Sequence, residues 1–225
     1  MIVAVEHVPP PAGVGRVLRR AVRDFYDESW RLVLLNAALS AYVLAVLGVA
    51  VAFPPALVLL LGAGPLAAAL VYAAVVVVET GSLTFAETFE GLRRCWRRGL
   101  VLAAADAAVV VLSIVAIRFY GGAGSFAWPF AVLVLYVGGI FAVFQLLLWP
   151  LAIRDDDRPL RAVAAEAATS LLRRPVAATG LAVALALVNL AGLALAVLPF
   201  LTMTIAYSAL AAARFAPPPR PPEEA

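Results

Sequence analysis

The chain has no lysine, one cysteine and one histidine among its 225 residues, and charged residues make up only 14% of it. Each shortage closes off chemistry. A single Cys95 can form neither an internal disulfide nor a cysteine metal cluster, and His7 alone builds no histidine site. The serines have no histidine to activate them, so Ser–His nucleophilic catalysis has no basis. Metal clusters and phosphate-cradling loops are equally missing, which argues against an enzyme and implies no cofactor. The shortage of charge is also uneven. Leu32 to Val78 and Pro175 to Ala213 hold no charged residue, and Gly99 to Ala152 holds only Asp106 and Arg118. Soluble domains are about 25% charged and their helices keep a solvated face, so such runs exclude an ordinary soluble fold.

What remains is 64% hydrophobic, with a mean hydropathy of +1.00. A bilayer crossing needs roughly 20 apolar residues, and the runs supply several. The fold class is therefore all-α, a polytopic transmembrane helical bundle. About thirty residues precede the first apolar run, so that run reads as an uncleaved anchor. The net charge of +3 and pI near 9.4 would suit nucleic acid if the arginines formed one patch. They stand at the ends of apolar runs instead, as a lipid bilayer partner requires, and no nucleic acid is implied. The lack of lysine beside abundant Ala, Val and Leu reads as a GC-rich coding bias.

Met1 to Gly13 and Pro217 to Ala225 are Pro-bearing tails, expected to be disordered, around a membrane domain spanning Val14 to Ala216. That domain reads as three units, each an amphipathic interfacial helix followed by two crossings. The interfacial helices begin near Arg16, Phe85 and Pro159, with apolar stripes Val14–Val17–Leu18–Ala21–Phe25, Phe85–Phe89–Leu92–Trp96 and Leu160–Val163–Ala167–Leu171. They precede crossings 1, 3 and 5. About six crossings are expected, Leu32–Phe53, Pro65–Val78, Gly99–Ile117, Ala127–Leu148, Val176–Val197 and Phe200–Ala213, with five as the alternative if the last run crosses once and folds back. Pro65 follows Gly-Ala-Gly and suits a helix start, so a break is expected there. Sixteen of the 17 arginines fall on one side of this scheme, which makes the protein a multi-pass cell-membrane protein with both termini cytoplasmic.

Asp106 is the most telling ionisable residue, because a short acidic side chain inside a crossing must face protein or water. Counting inward from the cytoplasmic ends, Asn36, Tyr72, Gln145, Thr179 and Tyr207 fall at a similar depth. This polar tier reads either as interhelical glue or as a vestibule open to the cytoplasm. Arg93, Arg94, Arg97 and Arg98 form a basic cluster beside a crossing, suited to anionic lipid head groups or to a partner. Asp155, Asp156 and Asp157 read as a solvated loop, and Cys95 with Trp96 as interfacial contacts.

The stretches LLNAALSAYVLAVL, GPLAAALVYAAVV from Gly64, SLTFAETFEGLRRCWRRGL from Ser82 and SLLRRPVAATGLAVAL from Ser170 resemble the YesL-like family of bacterial integral membrane proteins of unknown function. The likeness runs from about Val17 to Phe215 and departs at AAVVVVETGS, where the family usually carries basic residues. It implies association with carbohydrate uptake, and it carries over no catalytic residue. The expected function is a non-enzymatic accessory or subunit of solute transport, with membrane transport subunits as partners. The alternative is a stand-alone small transporter or channel using the tier around Asp106.

Overall fold

The computed structural model describes residues 13–122, 124–195 and 200–217, and all regular structure among them is helical. Five stretches are long and apolar enough to cross a membrane: Trp30–Ala52, Pro54–Thr80, Phe85–Gly122, Trp128–Arg154 and Pro175–Ala194. Except for Gly13 and Pro217, the two tails lie outside the described residues.

Helices α1 (Val14–Asp27) and α2 (Ser29–Ala52) lead into a 3-10 helix, Pro54–Gly62, and then α3 (Ala63–Thr80). The expected break at Pro65 is not there. Gly62 has φ −65° and ψ −15°, and the chain passes from 3-10 to α winding at Ala63 without leaving helical backbone. Pro65 lies in the first turn of α3, just past the junction, and leaves out one N–H from an otherwise helical run. A 3-10 run of nine residues is unusual. Tyr42 of α2 braces it by donating its hydroxyl to the Leu59 carbonyl at 2.7 Å.

Gly81, at φ 80°, closes α3 in the left-handed conformation and returns its N–H to the Val77 carbonyl. Three residues on, Thr84 and Glu87 open α4 (Phe85–Gly122) with a reciprocal capping box, Thr84 N–H to Glu87 Oε2 at 2.6 Å and Glu87 N–H to Thr84 Oγ1 at 3.3 Å. Helix α4 is continuous for 38 residues, about 57 Å at 1.5 Å per residue. The separate interfacial helix expected before Gly99 is thus part of the crossing helix itself. Nothing in Arg98–Gly99–Leu100 stops a helix, and Gly99 has a packing role instead.

That role is contact with α3. A Cβ on Gly64 would lie 2.4 Å from the Gly99 carbonyl oxygen, and one on Gly99 would lie 2.5 Å from that of Gly64. Further along the antiparallel pair, Tyr72 packs on Gly91. Two small-xxx-small patterns, Gly64/Ala68 and Gly99/Ala103, therefore bring the backbones together. Accordingly, α4 buries Gly91, Cys95, Gly99 and Leu102 and leaves Phe85, Phe89 and Trp96 exposed. The stripe read from hydrophobicity is the outer face, because side-chain size selected the inner one. Cys95 is a free, fully buried core thiol beside Ala68 and Ile153, not an interfacial contact.

Helices α5 (Trp128–Arg154), α6 (Leu160–Arg173) and α7 (Pro175–Leu195) follow, then a π turn (Phe200–Thr204) and α8 (Ile205–Phe215). Helix α3 is the hub. Its Leu70, Ala73, Ala74 and Val77 share a core with Leu32 and Leu39 of α2, Ala21 of α1, Leu181 of α7 and Leu210 of α8. The apolar stripes of α1 and α6 are taken up by the bundle: Val17, Ala21, Val163 and Ala167 are all buried. The expected sixth crossing, Phe200–Ala213, is the π turn plus the 11-residue α8 and is not one of the five long helices. Residues 196–199 before it lie outside the described residues.

The chain ends of the bundle are tied by charge. Arg214 of α8 pairs with Asp24 of α1. Arg154 of α5 lies 2.7 Å from Glu79 of α3 and donates to the Pro217 carbonyl at 2.7 Å. Phe215 and Pro175 line one cleft, so α7 starts at the end where α8 finishes.

Candidate functional site

Helices α4 and α5 form an antiparallel hairpin. Tyr120 stacks on Phe130 at 5.4 Å near its tip, and Arg98 donates to the Ala152 carbonyl at 2.6 Å near its base. Its outer half exposes Val110, Leu112, Ile114, Phe119, Leu135 and Tyr136 among others. Between the two helices runs a groove of about 580 Å³. Its lining is apolar, from Val109 and Ile117 to Phe141, apart from Ser113 and the pair Asp106 and Gln145.

Asp106 is held from α5. Gln145 Nε2 donates to its Oδ1, and Trp149 Nε1 donates to its Oδ2 at 3.1 Å. No described arginine pairs with the carboxylate. Gln145 Oε1 is buried and has no hydrogen-bond partner among the described residues. Gln145 and Trp149 lie four residues apart on one face of α5, so helical spacing alone could have nominated the tryptophan missed in the sequence.

The rest of the expected tier does not assemble around this pair. Asn36 is fully buried on α2, and neither heteroatom of its amide has a partner among the described residues. Tyr72 is packed on Gly91, and Tyr207 donates its hydroxyl to the Leu18 carbonyl of α1 at 3.2 Å. Thr179 is exposed on α7. Only Asp106 and Gln145 come together, and the six side chains line no common vestibule.

The arginine cluster also divides. Arg94 makes a two-point ion pair with Asp156, its Nη2 donating to Oδ1 at 2.8 Å. Arg98 donates to the carbonyls of Ala152, Asp155 and Arg158, and so caps the C-terminus of α5. These two arginines are used inside the fold, and Arg93 and Arg97 remain exposed, Arg97 lying 5.2 Å from the Trp96 ring. The aspartate run is a joint between helices more than a solvated loop. Asp155 pairs with Arg158 at 3.0 Å, and the Arg94 guanidinium holds the Asp156 carboxyl below the usual carboxylate range. Only Asp157 is exposed. No group of three or more metal-ligating side chains occurs among the described residues.

Fold and site together describe a multi-pass, all-α membrane protein with one acidic groove in a membrane-level hairpin. No family model, curated protein or solved structure matches the chain.

Proposed function

We propose that the chain is a non-enzymatic subunit of, or accessory to, a solute-transport assembly, with carbohydrate as the solute class that the YesL-like resemblance favours. It crosses the membrane six times, with both termini on the arginine-rich cytoplasmic side. Three features support the even count: α7 starts where α8 ends, Arg214 reaches Asp24, and Arg154 reaches both Glu79 and Pro217. The arginines at those ends favour the cytoplasmic side.

The observation that carries the subunit reading is the α4–α5 hairpin. Its outer half is covered by no other helix among the described residues, exposes large apolar side chains on both helices, and holds a groove with an acidic end. Exposed apolar surface of this extent, interrupted by an ionisable group, fits contact with another membrane protein. A stand-alone conduit would need the polar tier gathered around one passage, and its members are dispersed.

Two measurements test this. Deleting the gene should impair uptake of at least one solute, whereas the purified protein alone in liposomes should carry none. Transport by the lone protein would overturn the subunit reading. For topology, Arg220→Cys on a Cys95→Ser background should resist impermeant thiol reagents in intact cells, and labelling from outside would sink the even count.

A further inference from the structure

We propose that the groove between α4 and α5 seats a transmembrane helix of a partner protein, and that a basic side chain of that helix meets Asp106. The inference rests on the subunit reading above and gives it a place and a chemistry. The groove is open along its side, and its flanks Val110, Ile114 and Leu135 are exposed. A Cβ on Gly138 or Gly139 would meet nothing within 4 Å, so the α5 backbone is open to close approach by another helix.

Electrostatics chooses among occupants. The Asp106 carboxylate accepts two hydrogen bonds from neutral groups and has no cationic partner among the described residues. Inside a crossing such a group is expensive unless a cation or a strong donor meets it. Beside it, Gln145 Oε1 is a buried acceptor with no donor. One lysine, with three donors, or one arginine, with five, can meet the carboxylate from the groove, and can serve Gln145 Oε1 as well once that amide turns outward. A lipid acyl chain would fill the groove and bring no donor. A second copy of this chain in the same orientation brings no cation to that depth, because the arginines of α4 on either side of it, Arg98 and Arg118, stand about 12 Å and about 18 Å along the helix from Asp106.

The test uses the full chain in its native membrane, with the photoreactive residue p-benzoylphenylalanine at Ile114 or Leu135. The expected product is one protein adduct whose cross-linked peptide is a transmembrane segment containing Arg or Lys. Its yield per molecule should fall at least tenfold in Asp106→Asn and persist in Asp106→Glu. If Asp106→Asn lowers protein abundance, the charge swap decides: Asp106→Lys with an acidic residue in place of the partner's basic one should restore the adduct. An adduct with lipid alone, with a second copy, or with a segment lacking a basic residue overturns the proposal, as do no adduct and a yield insensitive to Asp106. The same reagent at Leu187 on α7 separates the two readings. Protein adducts there with none at Ile114 or Leu135 would leave a subunit without this docking site.

Discussion

Helix α3 and the α4–α5 hairpin look alike as sequence and differ in what they touch. The stretch ending in α3 has a mean hydropathy of 2.2, against 2.7 for the α4 segment and 2.4 for the α5 segment. Yet 56% of the most apolar window is buried in the first, against 6% and 11% in the other two. Apolarity therefore says that a helix avoids water, and leaves open whether protein or lipid takes its place. Side-chain size answers that. Of the eight buried residues of α3, five are small (Gly64, Ala68, Ala69, Ala73 and Ala74, beside Leu70, Val75 and Val77), whereas the outer α4 surface is Val110, Val111, Leu112, Ile114 and Val115. Lipid tails are as apolar as leucine, so helices in a membrane associate through close packing, and small residues permit it.

The strongest way to break the comparison is to add the same methyl to both regions. Gly64→Ala would put a Cβ 2.4 Å from a backbone oxygen of α4, which cannot rotate away. The expected loss is roughly 3 kcal/mol, the upper part of the usual overpacking range. Gly138→Ala meets open space and should instead gain up to about 1 kcal/mol from helix propensity. Thermal unfolding in detergent, followed by the loss of the monodisperse peak, reads both. Equal behaviour of the two variants would mean that α3 and α4 do not pack backbone to backbone.

The reverse substitution tests the same contrast by removing atoms. Leu70 of α3 is buried in the core, and Leu70→Ala should cost about 2–5 kcal/mol. Leu112 of α4 is exposed, and Leu112→Ala should stay within about 0.5 kcal/mol. A costly Leu112→Ala in the purified single chain would show that the outer hairpin is covered from within.

The sequence made the membrane class legible, because uncharged runs of this length have one physical use. It also placed α2, α5 and α7 to within a few residues at most of their ends, and the acid in α4 with its glutamine partner in α5. It misread the long helix α4, since an arginine-rich stretch beside an apolar one looks like two environments. The backbone has no reason to stop at Gly99, and hydropathy could not say that Gly91, Cys95 and Gly99 form the inner face. Nor could depth counting gather Tyr72, Thr179 and Tyr207 around Asp106. Equal depth says nothing about which way each helix is turned, and that is set by the packing of α3 against its neighbours.

Asn36 sharpens the contrast from inside the core. It is fully buried beside the α3 hub, and its amide nitrogen and oxygen both lack partners among the described residues. Leaving such a group unsatisfied costs about 1–3 kcal/mol. Asn36→Leu should therefore raise the unfolding temperature, by an amount equivalent to roughly 1–2 kcal/mol. A fall in Asn36→Leu and in the smaller Asn36→Val alike would reveal a polar companion, most simply a buried water, whereas a fall in Asn36→Leu alone is overpacking.

The smallest expected effect separates the arginine half of α4 from its apolar half by pH. Arg94 pairs with Asp156, and that guanidinium holds the Asp156 carboxyl below the ordinary carboxylate value. A carboxyl lowered on folding stabilises the folded state above its unfolded value, near about 3.9 for aspartate. That contribution is lost as pH falls through the lower folded value. Wild type should therefore exceed Asp156→Asn in thermal stability at pH 7, and the gap should close as pH drops below about 4. Arg94 is half exposed, so salt should narrow the gap at neutral pH as well. A wild-type to Asp156→Asn difference that is flat from pH 7 to pH 3 would mean that the joint between α4 and the α5–α6 turn does not depend on this ion pair.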